Sequence, residues 1–291
     1  MKLISVVIPV FNDAKRLYKC LKALENQSLE KSFFEVIVVD NGSLIKPIYK
    51  SDKINIKIID CQIPGSYAAR NKGILASSGD FVAFTDSDCV PDKNWLKNFL
   101  YLLNENTKVQ MISGDIKYFF KKPLPNIFEL YDLLFGFGQK KLFKKGKSVT
   151  ANLLVKKDIF KKIGMFEVDK FSGSDTTWVK KASRNGTNFI YASDAIIMHP
   201  ARHSYKMLLD REKRIYGGSF KLHKFDKMNY ILKLLTFFYP LRPPINAIKI
   251  IIKSQKANYY QKIIIFFILI SLRIVSFIEH IKLSHNFKET R

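Results

Sequence analysis

The sequence predicts an α/β domain built on a mostly parallel central sheet with flanking helices, followed by a helical C-terminal region of different character. Three observations predict it. Short β-branched apolar runs alternate with segments of helical periodicity over the first two hundred residues, the pattern of successive βαβ units. With 47% of 291 residues hydrophobic and no low-complexity tract or internal repeat, the chain has the material for one large core. Beyond residue 200, basic residues interleave with long apolar stretches, which no βαβ pattern explains.

The elements follow in order. LISVVIPVF (3–11) reads as a buried strand, and Asn12 or Asp13 caps a helix running to about Gln27, with Leu17, Cys20, Leu21 and Leu24 on one face. EVIVVD (35–40), ending in Asn41-Gly42-Ser43, is a second strand and INIKIID (54–60) a third. Gly65-Ser66 opens a helix through Ala76, DFVAFTD (80–86) is a fourth strand, and a helix follows Pro91-Asp92 to about Asn104. VQMISGDIKYFF (109–120) reads as a strand or bent pair. Residues 123–147 read as an amphipathic helix and a mobile Gly/Lys-rich loop. TANLLVKKDIF (150–160), a helix near 175–185 and the strands NFIYA and AIIMH complete the globular part. A basic helical segment (203–224), apolar stretches broken by Pro240, Pro243 and Pro244, and KIIIFFILISLRIVSFIEHIK (262–282) form the remainder.

Net charge is +24, and its distribution says more than its size. Residues 1–113 carry 15 basic and 12 acidic groups, and residues 163–199 carry four of each. The excess sits in 114–162, with 12 basic against 4 acidic, and in 200–291, with 18 against 5. Such a surface suits anionic lipid; no nucleic-acid-binding motif accompanies it, so no nucleic-acid partner is expected. Cys20, Cys61 and Cys89 lack CxxC spacing and are odd in number, which argues against a disulfide framework or zinc site and for a reduced, cytoplasmic setting. No secretory leader is expected, because Pro9 and Asn12 end the first apolar run too early.

Sheets of this kind bind ligands beyond the carboxyl ends of their strands, which singles out the loops 9–13, 40–43 and 86–91. Asp86-Ser87-Asp88 leaves an apolar strand directly. Two carboxylates at i, i+2 on such an exit can face one space, where a divalent cation needs hard oxygen ligands and a diphosphate needs its charge neutralised. Asp40 ends the second strand, where it can accept from the N–H of a base or close an Asx-turn. In PGSYAARNKG (64–73) a helix N-terminus favours anions and Arg70 can pair with phosphate oxygens; a plain surface arginine is the other reading.

VVIPVFN, VDNGS, ARNKG and FTDSD, then TANL, GMF and SDTTW, together resemble the family 2 glycosyltransferases of the GT-A fold over residues 3–200. The resemblance implies an inverting enzyme that moves a sugar from a nucleoside-diphosphate-sugar, UDP favoured, to an acceptor hydroxyl, with Mg²⁺ or Mn²⁺ as cofactor. It implies about 1–115 as the nucleotide-sugar-binding part and 116–200 as the acceptor side of a catalytic domain, with 201–291 as an appended region. By it, Pro9, Phe11 and Asn12 lie along the base, Asp40 at the base or ribose edge, Asp86 near the ribose, and Asp88 on the metal. Asp175 stands where the family has its catalytic base, and Ser174 replaces the Glu that usually precedes it. Asp175 could equally cap the helix it opens. His199 stands near the metal or diphosphate by the resemblance, or is a structural histidine. Arg211 and Arg214, with Tyr216-Gly217-Gly218, either close over the donor phosphates or lie on a solvated basic helix.

In the tail, the run 263–278 is shorter than the roughly 20 apolar residues of a spanning helix, and Arg273 inside it costs about 2.5–3.5 kcal/mol on insertion scales. An interfacial helix is therefore favoured over a single span at 262–282, and a helix packed on the catalytic domain or on a partner subunit is the other reading. The expectation is peripheral attachment to the inner face of the cytoplasmic membrane, with a lipid-linked or glycan acceptor. A sugar nucleotidyltransferase and a non-catalytic scaffold of the same fold stand as alternatives. The first lacks a Gly-rich phosphate loop after the first strand, and the second rests on Ser174.

Overall fold

The computed structural model describes residues 3–170, 172–219 and 242–284. The chain divides into two compact units: Met1–Phe119, Phe137–Lys170 and Ser174–Pro200 form the first; Phe120–Gly136, Phe171–Gly173 and Ala201–Arg291 form the second.

The first unit is built on one mixed sheet. Its strands are β1 (Ile4–Val10), β2 (Phe34–Asp40), β3 (Ile56–Asp60), β4 (Phe81–Phe84), β5 (Val90–Pro91), β6 (Met111–Phe119), β7 (Leu153–Lys156) and β8 (Phe189–Pro200), in the spatial order β3-β2-β1-β4-β7-β6-β8-β5. β3, β2, β1 and β4 run parallel, as do β6 and β8; β7 runs antiparallel to both β4 and β6, and β5 antiparallel to β8.

Helices α1 (Ala14–Glu25) and α3 (Trp95–Glu105) cover one face, and α2 (Ser66–Ala76), α6 (Asp158–Ile163) and α7 (Ser174–Arg184) the other. Ile4, Val6, Ile8 and Val10 of β1 pack with Leu17, Leu21 and Leu24 of α1, while Val7 packs with Ala69 and Ile74 of α2. Both faces of β1 and β2 are covered, which is why these strands read as unbroken apolar runs rather than alternating ones. α2 lies so close to the sheet that a Cβ at Gly73 would come within 2.4 Å of Val7 Cγ1.

Register brings the carboxyl ends together: Val10 pairs with Asp40 and Asp40 with Asp60, while β4 ends with Phe84 opposite Val7. The segment from Thr85 to Asp88 therefore leaves the sheet on the same edge as the turns after β1 and β2.

Several expected elements differ in detail. NFIYA and AIIMH are not two strands but the single β8, whose register beside β6 jumps from Gly114↔Ala192 to Asp115↔Ile196. Ser193, Asp194 and Ala195, skipped by that register, form the bulge, and Asn152 closes it by donating to the carbonyls of Asp115 and Ala195. The expected strand or bent pair at 109–120 is the single strand β6, Met111–Phe119, whose register shifts at that same step. The expected loop after residue 136 contains the short helix α5 (Gln139–Phe143), held by Gln139, which donates to the carbonyls of Val149 and Asn152, and by Phe143 against Phe189 and Tyr191.

In the second unit, α4 (Ile127–Phe135) begins with a capping box between Asn126 and Glu129. α8 (Tyr205–Ser219), α9 (Ile245–Lys253) and α10 (Tyr259–Ser284) complete its described helices. Leu130, Tyr131, Leu208, Ile251, Ile265, Leu269 and Leu272 form its core. Buried Asp132 accepts from both the backbone and the guanidinium of Arg202, so the pair is fully hydrogen-bonded where an isolated charge would be costly. The end of the expected 203–224 helix and Pro240 lie outside the described residues.

Candidate functional site

The loops at the carboxyl edge are tied into one floor. Asp40 is buried, and both its carboxylate oxygens accept from Ser43 N at 3.3 Å, which closes the loop after β2. Asn12 N donates to Ser43 Oγ at 2.8 Å, and Asn12 Oδ1 accepts from Leu44 N at 2.9 Å. Asn12 has φ +51°, the left-handed conformation that Asn tolerates better than most residues, and this lets its side chain clip the two loops together. Asn41 reaches the next loop, donating to the Cys61 and Ile63 carbonyls and accepting from Gly65 N. Pro9 is buried in β1, whereas Phe11 is 60% exposed, an aromatic face offered at the rim of a rigid floor.

Asp86 and Asp88 take different partners. Arg70, buried on α2, donates from Nη2 to Asp86 Oδ1 at 2.5 Å, and its guanidinium lies 5.5 Å from the Tyr67 ring centre. Arg70 Nε is buried without a hydrogen-bond partner. This guanidinium is therefore not a surface group; it holds Asp86.

Asp88 Oδ2 lies 3.4 Å from Arg16 Nη1, and Oδ1 lies 3.8 Å from His199 Nε2. Arg16 is held by Asp13, whose other oxygen accepts from Ser87 Oγ at 2.9 Å. Residue type and position point to Asp13 as a helix cap, but it makes no side-chain cap bond; its carboxylate is spent on Arg16 and Ser87 instead.

His199 is buried, its ring set edge-on against Phe137 and Tyr118. Its Nδ1 lies 2.8 Å from the Pro200 carbonyl. A carbonyl only accepts, so the bond places a proton on Nδ1, and Nε2 is the ring nitrogen that faces Asp88. Asp88, Cys89 and His199 present three donor atoms within 4.8 Å of one another. Two ligands each about 2.1 Å from one ion lie about 3.0 Å apart when cis and about 4.2 Å when trans, and the 3.8 Å between Asp88 and His199 falls in that interval. One carboxylate and one imidazole are donors that can hold a divalent transition-metal ion, a set less typical of Mg²⁺, which prefers oxygen alone. Burial, reinforced by the charges of Asp88 and Asp86, pushes the Cys89 thiol well above its ordinary range, and a protonated thiol is a poor ligand.

Asp175 lies in the first turn of α7, buried among donors. Oδ1 accepts from Tyr67 Oη at 3.0 Å and Thr176 N at 2.8 Å; Oδ2 accepts from Thr150 N at 3.0 Å and Thr150 Oγ1 at 3.3 Å. Burial and the Asp175 charge both push the Tyr67 hydroxyl well above its ordinary range, so it remains a donor. Asp175 thus joins α7, α2 and the turn before β7. Ser174 is buried and its hydroxyl has no hydrogen-bond partner.

Arg211 and Arg214 lie on α8 in the second unit. Arg211 donates to the Phe135 carbonyl and lies 3.8 Å from Glu212, bonds made wholly within that unit. Arg16 lies outside every motif that the sequence singles out, and Ser87, Tyr67 and Thr150 lie inside such motifs without a role that the pattern assigns. Arg16 lies 72 residues from Asp88, Ser87 lies 74 from Asp13, and Tyr67 and Thr150 lie 108 and 25 from Asp175. Only the fold brings them together.

Residues 5–164 match the family described as Glycosyl transferase family 2. The chain is 35% identical over 258 residues to the glycosyltransferase AglE of Haloferax volcanii, covering 83% of this chain and 82% of that one. It is 23% identical over 320 aligned positions to a Methanococcus voltae protein named as a dolichyl N-acetyl-alpha-D-glucosaminyl phosphate 3-beta-D-2,3-diacetamido-2,3-dideoxy-beta-D-glucuronosyltransferase, covering 99% and 96%. Among solved structures, S. aureus TarS 1–349 in complex with UDP-GlcNAc superposes with a TM-score of 0.56 at 17% identity, covering 99% of this chain and 93% of that one. The Pyrobaculum calidifontis mannosyltransferase PcManGT, in complex with GDP-Man and Mn²⁺, gives 0.60 at 15% identity, covering 97% and 86%. The chain belongs to glycosyl transferase family 2; it is a glycosyltransferase with the GT-A fold.

Proposed function

We propose that this enzyme transfers a sugar from a UDP-sugar to a hydroxyl of a lipid-linked acceptor, with inversion and with a divalent cation held by Asp88 and His199. The observation that carries the reading is the Asp88–His199 pair, 3.8 Å apart on the edge where β1, β2 and β4 deliver their loops. The bound ion would supply positive charge to the leaving diphosphate. Phe11 offers a stacking face for the base, with Pro9 and Asn12 shaping the wall beneath it and Asp40 keeping the loop in place. Asp86, fixed by Arg70, faces the ribose. Arg16, partly exposed at Asp88, is a cation that can swing to phosphate oxygens once an ion takes its place.

Asp175 is the base. A carboxylate has about four lone-pair sites, and Tyr67, Thr176 and the two Thr150 groups fill them all. The longest of these bonds, from Thr150 Oγ1, is the one an acceptor hydroxyl displaces. From there Asp175 takes the proton as the acceptor oxygen attacks the anomeric carbon opposite the departing diphosphate; a single displacement of this kind inverts the centre.

A lipid-linked acceptor is supported by the dolichyl-phosphate relative and by α10, whose Tyr259–Glu279 stretch is long and apolar enough to cross a membrane. Attachment to the cytoplasmic face follows from the basic flanks of that stretch. Arg211 and Arg214 are proposed to approach the donor phosphates when substrate is bound. The test is sugar transfer in Asp88→Ala and Asp175→Asn. Both should lose at least about a hundredfold in turnover, with the first also losing metal dependence; full activity in both would overturn these roles.

A further inference from the structure

α9 and α10 enclose a pocket of about 460 Å³, lined by Ile248, Ile251 and Ile252 on one side and Ile263, Phe266 and Phe267 on the other. Its size is that of a small-ligand site, but its lining is almost wholly hydrocarbon. Ile252 and Phe267 are 65% and 64% exposed, so the apolar surface continues from the pocket to the outside. Lys262 is the charged residue of the lining and Tyr259 the aromatic one with a polar tip. Lys249, Lys253 and Lys256 stand exposed on the same segment. From Arg242 to Ile278 the sequence has six basic residues and no Asp or Glu.

We infer that this pocket binds the hydrocarbon chain of a lipid phosphate, with Lys262 of its lining meeting the phosphate in a segment whose other charges are also positive. The chemistry selects the occupant. A soluble metabolite would need several polar groups aimed inward, and the lining offers one ammonium, itself donating to the Ile252 carbonyl at 2.8 Å. A second protein surface calls for matching charges of both signs at the rim, whereas every charge here is positive. A chain with a single anionic end matches both halves of the site. At roughly 30 Å³ per carbon, taking the share of a water molecule as a guide, the volume holds on the order of 15 carbons, a short isoprenoid or the near end of a longer one. Apolar side chains paired with lysines at a water–lipid boundary also suit extraction of that chain from a leaflet.

The inference rests on the proposed function only in identifying this lipid with the carrier of the acceptor; the binding itself is separate. The test is calorimetric titration of the full chain with farnesyl phosphate below its micelle concentration, beside farnesol and inorganic phosphate. Expected are one farnesyl phosphate per chain, farnesol weaker by at least about tenfold and no saturable heat from phosphate. Ile252→Trp, which fills the pocket, and Phe267→Asp, which charges its mouth, should each weaken binding by at least about tenfold. Both residues are exposed, so the variants should keep the wild-type thermal shift with UDP and Mn²⁺. Unchanged binding in both variants, or no saturable binding in the wild type, would overturn the inference. So would a dimer that Ile252→Trp dissociates, since a second copy would then be the occupant. Failure of the UDP shift in the wild type would sink the donor assignment while leaving the farnesyl phosphate result intact.

Discussion

Replacing Glu35 by Gln should destabilise the protein at neutral pH and should cease to matter in acid. Glu35 lies at the start of β2, next to the edge strand β3, at the end of the strand opposite the site. One oxygen accepts from Ser5 Oγ, Ser78 N and Ser78 Oγ, and the other from Lys57 Nζ. Burial opposes ionisation here, but the bonds from Ser78, Ser5 and Lys57 outweigh it and hold the carboxyl down at about 2. Against an ordinary value near 4.5, each unit is worth about 1.4 kcal/mol; discounting the half-exposed Lys57, the network contributes about 2–3 kcal/mol. The folded value lies below the unfolded one, so this stability is complete above about pH 4.5 and drains away as pH falls towards 2. Urea unfolding of wild type and Glu35→Gln at constant ionic strength reads the difference directly. The gap should be constant from pH 5 to 8 and close progressively below pH 4.5. A gap equally wide at pH 3 and pH 7 would refute the argument, because it would come from shape rather than charge.

Other expectations follow from the same geometry. Gly73→Ala should cost about 1–3 kcal/mol, since its Cβ would meet Val7 Cγ1 at 2.4 Å; adding Val7→Ala should recover part of the loss, and a double variant no better than the sum of the singles would contradict the clash. Ser174→Ala removes a buried hydroxyl that has no partner and should leave stability unchanged or raise it by about 1 kcal/mol, about 2 °C in a chain of this size; a fall in melting temperature would show that the hydroxyl is bonded after all. Tyr67→Phe should lower turnover while leaving nucleotide affinity intact, because Tyr67 touches Asp175 and not the metal pair; parallel losses in both would argue for a structural role alone.

The carboxyl edge of the parallel strands is legible in the sequence because strands covered on both faces must be apolar throughout, so each one announces where it ends. Asp40, Asp86 and Asp88 can therefore be placed at strand exits by chain position. The part after residue 115 is not legible in the same way. β8 hides a bulge between the two expected strands, and its carbonyls are satisfied from distant elements, Asn98 donating to Asp194 and Asn152 to Ala195. Asp13 shows the same limit: residue type and position suggest a cap, while the partners that occupy its carboxylate include Ser87, 74 residues away. Arg70 reads as an exposed phosphate ligand from its helix, yet the helix face it occupies is turned to the sheet and to Asp86. Residues 120–136 carry no sign in their composition that they cluster with the C-terminal unit.

The metal-dependent donor site is tested most directly by thermal unfolding of wild type, Asp88→Ala and His199→Ala with UDP, GDP, dTDP and CDP, each with and without Mn²⁺. Ligand binding raises stability as RT ln(1 + [L]/Kd). The wild type should show a Mn²⁺-dependent shift with UDP, larger than with the other three nucleotides, that vanishes in Asp88→Ala and shrinks in His199→Ala. A UDP shift that is the same without metal, or that survives in both variants, would contradict the claim that Asp88 and His199 hold the ion on which donor binding depends.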